Sequence, residues 1–226
     1  RDNTYPGAAC DVPSALYSLS DKPNTRWSRR YAEQPEILQY LRRLVLADGM
    51  DLQLRTRTEV VEMTFDEQAG RWRLVTESSE TIWCDVVISA VGQLSRPHTP
   101  NIAGEDTFEG PRFHSARWDH SVSLRGKEVA VIGTGASAIQ FVPWIAHEAQ
   151  RVTLYQRTAP WILPKWDSRY GRLHQQLIKV LPLWPRLERF AVWLIFEVLA
   201  VTLVDAKPLS RILGAVARYH LHRQGA

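Results

Sequence analysis

Glu128-Val129-Ala130-Val131-Ile132 runs straight into Gly133-Thr134-Gly135-Ala136-Ser137-Ala138, and from there into a stretch with helical spacing. An apolar run after Glu128 suits a parallel strand covered on both faces. Strand, glycine turn and helix, in that order, are the setting in which a G-x-G-x-x-A pattern binds a dinucleotide. Gly133 permits the tight turn, Gly135 lets the backbone approach a pyrophosphate, and Ala138 lets the helix pack close to the strand. The helix N-terminus offers unpaired N–H groups and the positive end of its dipole to the phosphates. Glycine-rich turns also arise for steric reasons alone, so the flanking strand and helix carry the reading.

The end of the next strand discriminates between cofactors. Val152–Tyr155 is followed by Gln156-Arg157-Thr158, where an NAD site usually places an acid for the ribose hydroxyls. A guanidinium and a hydroxyl suit a 2′-phosphate, which a carboxylate would repel. The reading is NADPH; its bland alternative is an exposed surface arginine.

Elsewhere the periodicity is mixed. The first thirty residues read as an ordered loop, and Pro35-Glu36 opens a helix that ends near Gly49. Val60–Phe65, Trp72–Val75 and Ile82–Trp83 are short β-type runs separated by turn-forming residues. Val86–Val91 reads as a buried strand stopped by Gly92, and 93–125 as a long irregular segment of the kind that connects domains. A helix is expected over Ala136–His147, kinked at Pro143, and further helices around Leu173–Val180, Pro185–Val204 and Pro208–Arg223.

A length of 226 residues suits one large domain or two small ones. A nucleic-acid binder would concentrate its charge in one stripe, but Lys and Arg are spread along the chain. A bound anionic cofactor explains the net charge of +4 at least as well, and no nucleic-acid partner is expected. Nine tryptophans suggest packed aromatic clusters. Cys10 and Cys84 lack metal-ligand spacing, and no signal-peptide pattern opens the chain. Free thiols, no metal and a cytoplasmic location are expected. The apolar run Phe190–Val204 is interrupted by Glu197 and is short for a membrane span, so membrane association is not expected.

Phe108-Glu109-Gly110-Pro111-Arg112-Phe113-His114-Ser115-Ala116-Arg117-Trp118-Asp119 matches the fingerprint FxGxxxHxxxW(P/D) at every fixed position. It lies just before the nucleotide motif, and in both respects the chain resembles the Baeyer–Villiger monooxygenases. Tyr5–Asp11, Gln34–Leu38, Gly92–Pro97 and Gln156–Trp161 look like the same family. The resemblance implies an α/β fold: a Rossmann-like NADP-binding domain with a helical insertion, beside the incomplete remainder of an FAD-binding domain with a β-meander. The implied domains are 1–92 for FAD, 93–125 as a linker carrying the fingerprint, and 126–226 for NADP, helical from about 170.

The activity implied is insertion of one oxygen atom from O₂ beside a ketone carbonyl, using FAD and NADPH. By the same resemblance Asp11 contacts both cofactors and orients a catalytic arginine, Tyr17 and Val60 line the FAD, and Ala9 and Cys10 face NADP. Gln93, Trp118 and Gln140 join the cofactor contacts, alongside Gly133, Thr134, Gly135, Ala136, Ser137, Ala138, Arg157 and Thr158. His114 and Asp11 are the candidates for a catalytic part, with a hinge-ordering role favoured for His114. The family's first GxGxxG unit and its Lys-Arg pair are not found in these residues, so an internal piece of a longer protein is expected, one that alone binds FAD weakly or not at all and does not oxygenate ketones. An N- or S-oxygenating flavin monooxygenase and a non-catalytic NADPH-binding module are the competing readings.

Overall fold

The computed structural model describes residues 3–47, 49, 53–92, 96–159, 165–204 and 207–223. They gather into two compact units, one formed by Arg1–Arg42 with Asn101–Ala226 and the other by Arg43–Pro100. These are units of packing; the boundaries drawn above at 92 and 126 divide the chain by cofactor.

The N-terminal loop contains one helical turn, α1 (Ser14–Tyr17), and leads into α2 (Gln34–Ala47). Pro35 stands in the first turn of α2, where a missing N–H breaks no hydrogen bond. Tyr40 is its buried residue; the ring packs on Trp27 at 5.4 Å, and the hydroxyl accepts from the Leu19 N–H and donates to the Lys22 carbonyl. The loop is thereby an ordered structure despite its scant secondary structure.

In the second unit, β1 (Val60–Asp66), β2 (Arg71–Thr76) and β3 (Thr81–Cys84) form an antiparallel sheet in sequence order. Asp66 closes the first hairpin by accepting from the Gln68 and Ala69 N–H groups at 2.9 and 2.8 Å. Thr76, 1% exposed, closes the second, its hydroxyl accepting from the Glu80 N–H. Both turns fall where the turn-forming residues place them. The strand expected at Val86–Val91 does not form: these residues lie outside any ladder, and Ile88 is 86% exposed. A strand exists only when its N–H and C=O groups pair with a neighbour, and no described strand runs beside this segment.

The first unit is built on β4 (Glu128–Ile132) and β5 (Arg151–Tyr155), paired in parallel and joined through α3 (Ala136–Ala146). Tyr5, Ala8, Val131, Ala138, Phe141 and Ile145 form its core, with Trp118, Leu124, Val129 and Val152 packed around them. The expectation that β4 is covered on both faces is met only in part: Val131 is buried but Ile132 is 61% exposed, because the described sheet has two strands and α3 shields one side. Three helices follow, α4 (Arg172–Val180), α5 (Trp184–Val204) and α6 (Lys207–Arg223), close to their expected places. Arg189 of α5 donates to the carbonyls of Ala15 and Ser18, fastening this helical segment to α1. No described helix is long and apolar enough to cross a membrane.

Candidate functional site

The glycine turn between β4 and α3 is held from one side and open on the other. The Gly133 N–H donates to the Tyr155 carbonyl at 2.9 Å, which brings the end of β5 beside the turn. Gly133 adopts φ +101°, a conformation that L side chains rarely take. Gly135 is different: its backbone is extended, and a β-carbon added there would meet nothing within 4 Å. Its glycine is not demanded by conformation or by protein neighbours, which leaves close approach of a ligand as the physical reason. Gly135 is the N-cap of α3 and no side chain caps the helix, so the first-turn N–H groups retain their capacity for an anion. Ala138 is buried in the core beside Val131, the close helix–strand packing its small side chain allows. Ser137 and Thr134 are half-buried and Ala136 is exposed.

Arg157 and Thr158 follow β5 by two and three residues and are both exposed. Among the described residues no ion pair or hydrogen bond of Arg157 is found, and its side chain is exposed. The geometry therefore joins a helix end with no side-chain cap, a glycine with open space around it and an exposed cation at one end of a parallel sheet. Those residues fit a phosphorylated dinucleotide.

The same helix organises the N-terminal residues singled out from the sequence. Ala8–Cys10 lies extended, its backbone bonded to Ala32 and Gln34 on one edge. On the other edge is the side-chain amide of Gln140, from α3. Its Oε1 accepts from the Ala9 N–H at 3.1 Å, and its Nε2 donates to the Ala9 carbonyl at 3.2 Å and to Asp11 Oδ1 at 3.0 Å. Ala9, Cys10, Asp11 and Gln140 are thus brought together. Cys10 is 5% exposed, and burial pushes its thiol up from the ordinary value, against the smaller effect of the Ser14 hydroxyl. Asp11 is exposed on the outer side of this segment.

Trp118 packs on Phe141 of α3 at 5.2 Å between ring centroids and on Phe113 at the same distance. The fingerprint is therefore anchored to α3 through its tryptophan. His114 is exposed, and its Nδ1 accepts from the Ala116 N–H at 3.1 Å, capping a short turn at Ser115–Arg117. Next to Trp118, Asp119 accepts from both the N–H and the hydroxyl of Ser121, and these bonds hold its carboxyl below the usual range. Tyr17 is half-exposed on α1. Val60 belongs to β1 of the second unit and is 42% exposed, while Gln93 lies outside the described residues.

Two residues were not legible as site residues. Lys165 Nζ donates to the Cys10 carbonyl at 3.3 Å and stands 4.5 Å from the Tyr31 ring centroid. It belongs to a segment bound to the N-terminal loop through Arg30 N–H to Ser168 O, Tyr170 N–H to Ser28 O and the Arg29–Asp167 ion pair. Ser14, fully buried, bonds the Ala32 N–H and the carbonyls of Arg29 and Arg30 through one hydroxyl. A lone lysine and a lone serine have no spacing signature; only their partners mark them.

A family model described as pyridine nucleotide-disulphide oxidoreductase matches residues 7–175. A Baeyer–Villiger monooxygenase of Streptomyces coelicolor is 47% identical over 197 residues, a match covering 87% of this chain and 38% of that protein. Among solved structures, an oxidized steroid monooxygenase bound to NADP superposes with a TM-score of 0.73 at 37% identity, over 79% of this chain and 35% of that one. OTEMO in complex with FAD and NADP gives a TM-score of 0.73 at 31% identity, over 82% and 36% of the two chains. The chain spans well under half the length of these relatives, so the comparisons bear on a part of each.

Proposed function

The chain belongs to the pyridine nucleotide-disulphide oxidoreductase family, and from that premise we propose that it supplies the NADPH-binding part of a Baeyer–Villiger-type flavin monooxygenase. The substrate would be a small ketone, the co-substrate O₂, and the product an ester or lactone. The observation that carries the reading is the conjunction at α3. The helix N-terminus has no side-chain cap, Gly135 has open space around it, and the exposed Arg157 follows the strand that holds Gly133. The complete FxGxxxHxxxW(P/D) fingerprint at Phe108–Asp119, packed through Trp118 onto that same helix, ties the nucleotide to flavin chemistry. The steroid monooxygenase and OTEMO neighbours, bound to NADP and to FAD with NADP respectively, support the same pair of cofactors.

When bound, the cofactors supply the hydride and the activation of O₂. The protein's part is positional. First-turn N–H groups of α3 hold the pyrophosphate, and Arg157 with Thr158 receives the 2′-phosphate. Asp11 is presented beside the nucleotide helix by Gln140. His114 orders the turn that carries Trp118, which fits the hinge-ordering role better than acid–base work. A cytoplasmic location belongs to this reading as well.

Titration calorimetry tests it. The chain should bind NADP⁺ at least tenfold more tightly than NAD⁺, and Arg157→Ala should erase the preference by weakening NADP⁺ alone. Equal affinities that Arg157→Ala leaves unaltered would overturn the assignment. Product analysis with a cyclic ketone, an amine and a thioether separates ketone oxygenation from N- or S-oxygenation.

A further inference from the structure

We infer that Gln140 is a positioning residue that sets Asp11, in place of the cofactor contact that family resemblance implies for it. A glutamine amide has two N–H donors and two carbonyl lone pairs, and here all four are engaged. Oε1 accepts from the Tyr5 hydroxyl at 3.2 Å and from the Ala9 N–H at 3.1 Å. Nε2 donates to the Ala9 carbonyl at 3.2 Å and to Asp11 Oδ1 at 3.0 Å. The orientation of the amide is dictated by its partners, since the Ala9 N–H can only donate and the Ala9 carbonyl can only accept. Nothing on the amide remains for a nucleotide.

Its place in the fold gives this a purpose. Ala9 pairs with Glu33 in an antiparallel bridge on one edge, and the Gln140 amide completes the opposite edge as a neighbouring strand would. Gln140 lies two residues after Ala138, the last residue of the glycine motif, in the first turns of α3. The Gln140 side chain therefore couples α3 directly to Ala9 and Asp11. Lys165 holds the same short segment from the Cys10 carbonyl, and Gln140 holds Asp11 at its end.

The inference rests on the NADPH reading for its purpose, and the test separates the two. In Gln140→Met, amide hydrogen exchange of Ala9 without nucleotide should accelerate at least tenfold, whether or not NADP⁺ binds. A double-mutant cycle on the NADP⁺ dissociation constant then pairs Gln140→Met with Asp11→Ala. Each single change should weaken binding about tenfold, and the double variant should be no weaker than either. Gln140→Glu provides a second variant: it keeps the acceptor for Ala9 N–H but loses the donor, and it should reproduce the affinity loss. Unchanged Ala9 exchange, or additive losses in the cycle, would overturn the proposal. Absence of NADP⁺ binding by the wild-type chain would refute the NADPH reading, and the exchange measurement would then decide the clamp alone.

Discussion

The indole of Trp144 occupies the space where Gly7 would carry a side chain. A β-carbon on Gly7 would stand 2.2 Å from Trp144 Nε1, 2.5 Å from Cδ1 and 3.0 Å from the Gln140 carbonyl oxygen, and Gly7 itself adopts φ +75°. The half-exposed indole can swing aside, but the carbonyl belongs to α3 and cannot. Gly7 is thus a point of close approach between the N-terminal loop and α3.

Gly7→Ala should therefore lower stability by about 2–3 kcal/mol, combining left-handed strain with overpacking. Urea unfolding measures this directly. A loss below about 0.5 kcal/mol would mean that the loop does not rest on α3 in solution.

The two glycines of the motif should behave differently. Gly135→Ala meets neither conformational strain nor a neighbour, so stability should stay within about 0.5 kcal/mol of wild type, yet NADP⁺ affinity should drop tenfold or more. Gly133→Ala carries strain at φ +101° and should cost about 1–2 kcal/mol before any ligand is added. Thermal unfolding paired with calorimetry distinguishes them; a Gly135→Ala variant that binds NADP⁺ normally would remove the backbone-approach argument.

Trp118 and His114 share a fingerprint but not a role. Phe141, on which Trp118 packs, is 8% exposed. Trp118→Ala should destabilise the first unit by about 3 kcal/mol. His114→Ala removes only the acceptor of one turn N–H and should cost about 1 kcal/mol, with NADP⁺ affinity intact. A steep loss of affinity in His114→Ala at unchanged stability would assign the histidine a direct ligand contact.

Cys10 supplies a pH signature. Burial raises its thiol above the ordinary value, so the folded state holds the proton more firmly than the unfolded chain. The corresponding stability is complete below the unfolded thiol pKa, about 8.5, and is lost as pH rises through the folded value. Iodoacetamide at pH 8 should modify the half-buried Cys84 before Cys10, and urea should abolish the difference. Equal rates in the folded protein would contradict the burial of Cys10.

Much of this molecule is local, and residues close together in the chain are enough to set those parts. β4, the Gly133 turn, α3 and β5 follow from an apolar run, a residue that tolerates positive φ and a helical spacing, all within neighbouring residues. The hairpins at Asp66 and Thr76 form for the same reason, since the side chains that close them act two to four positions away. Val86–Val91 shows where such reasoning stops. Its composition is that of a strand, but a strand depends on a partner, and partnership is not a property of the segment. Only packing brings Gln140 to the backbone of Ala9 across 131 residues of chain, Lys165 to the Cys10 carbonyl across 155, and the Gln140 carbonyl so close to position 7 that a glycine is required there. Hydrogen bonds and contacts of this kind act over a few ångströms, and which residues come within that range is settled only when the chain has packed.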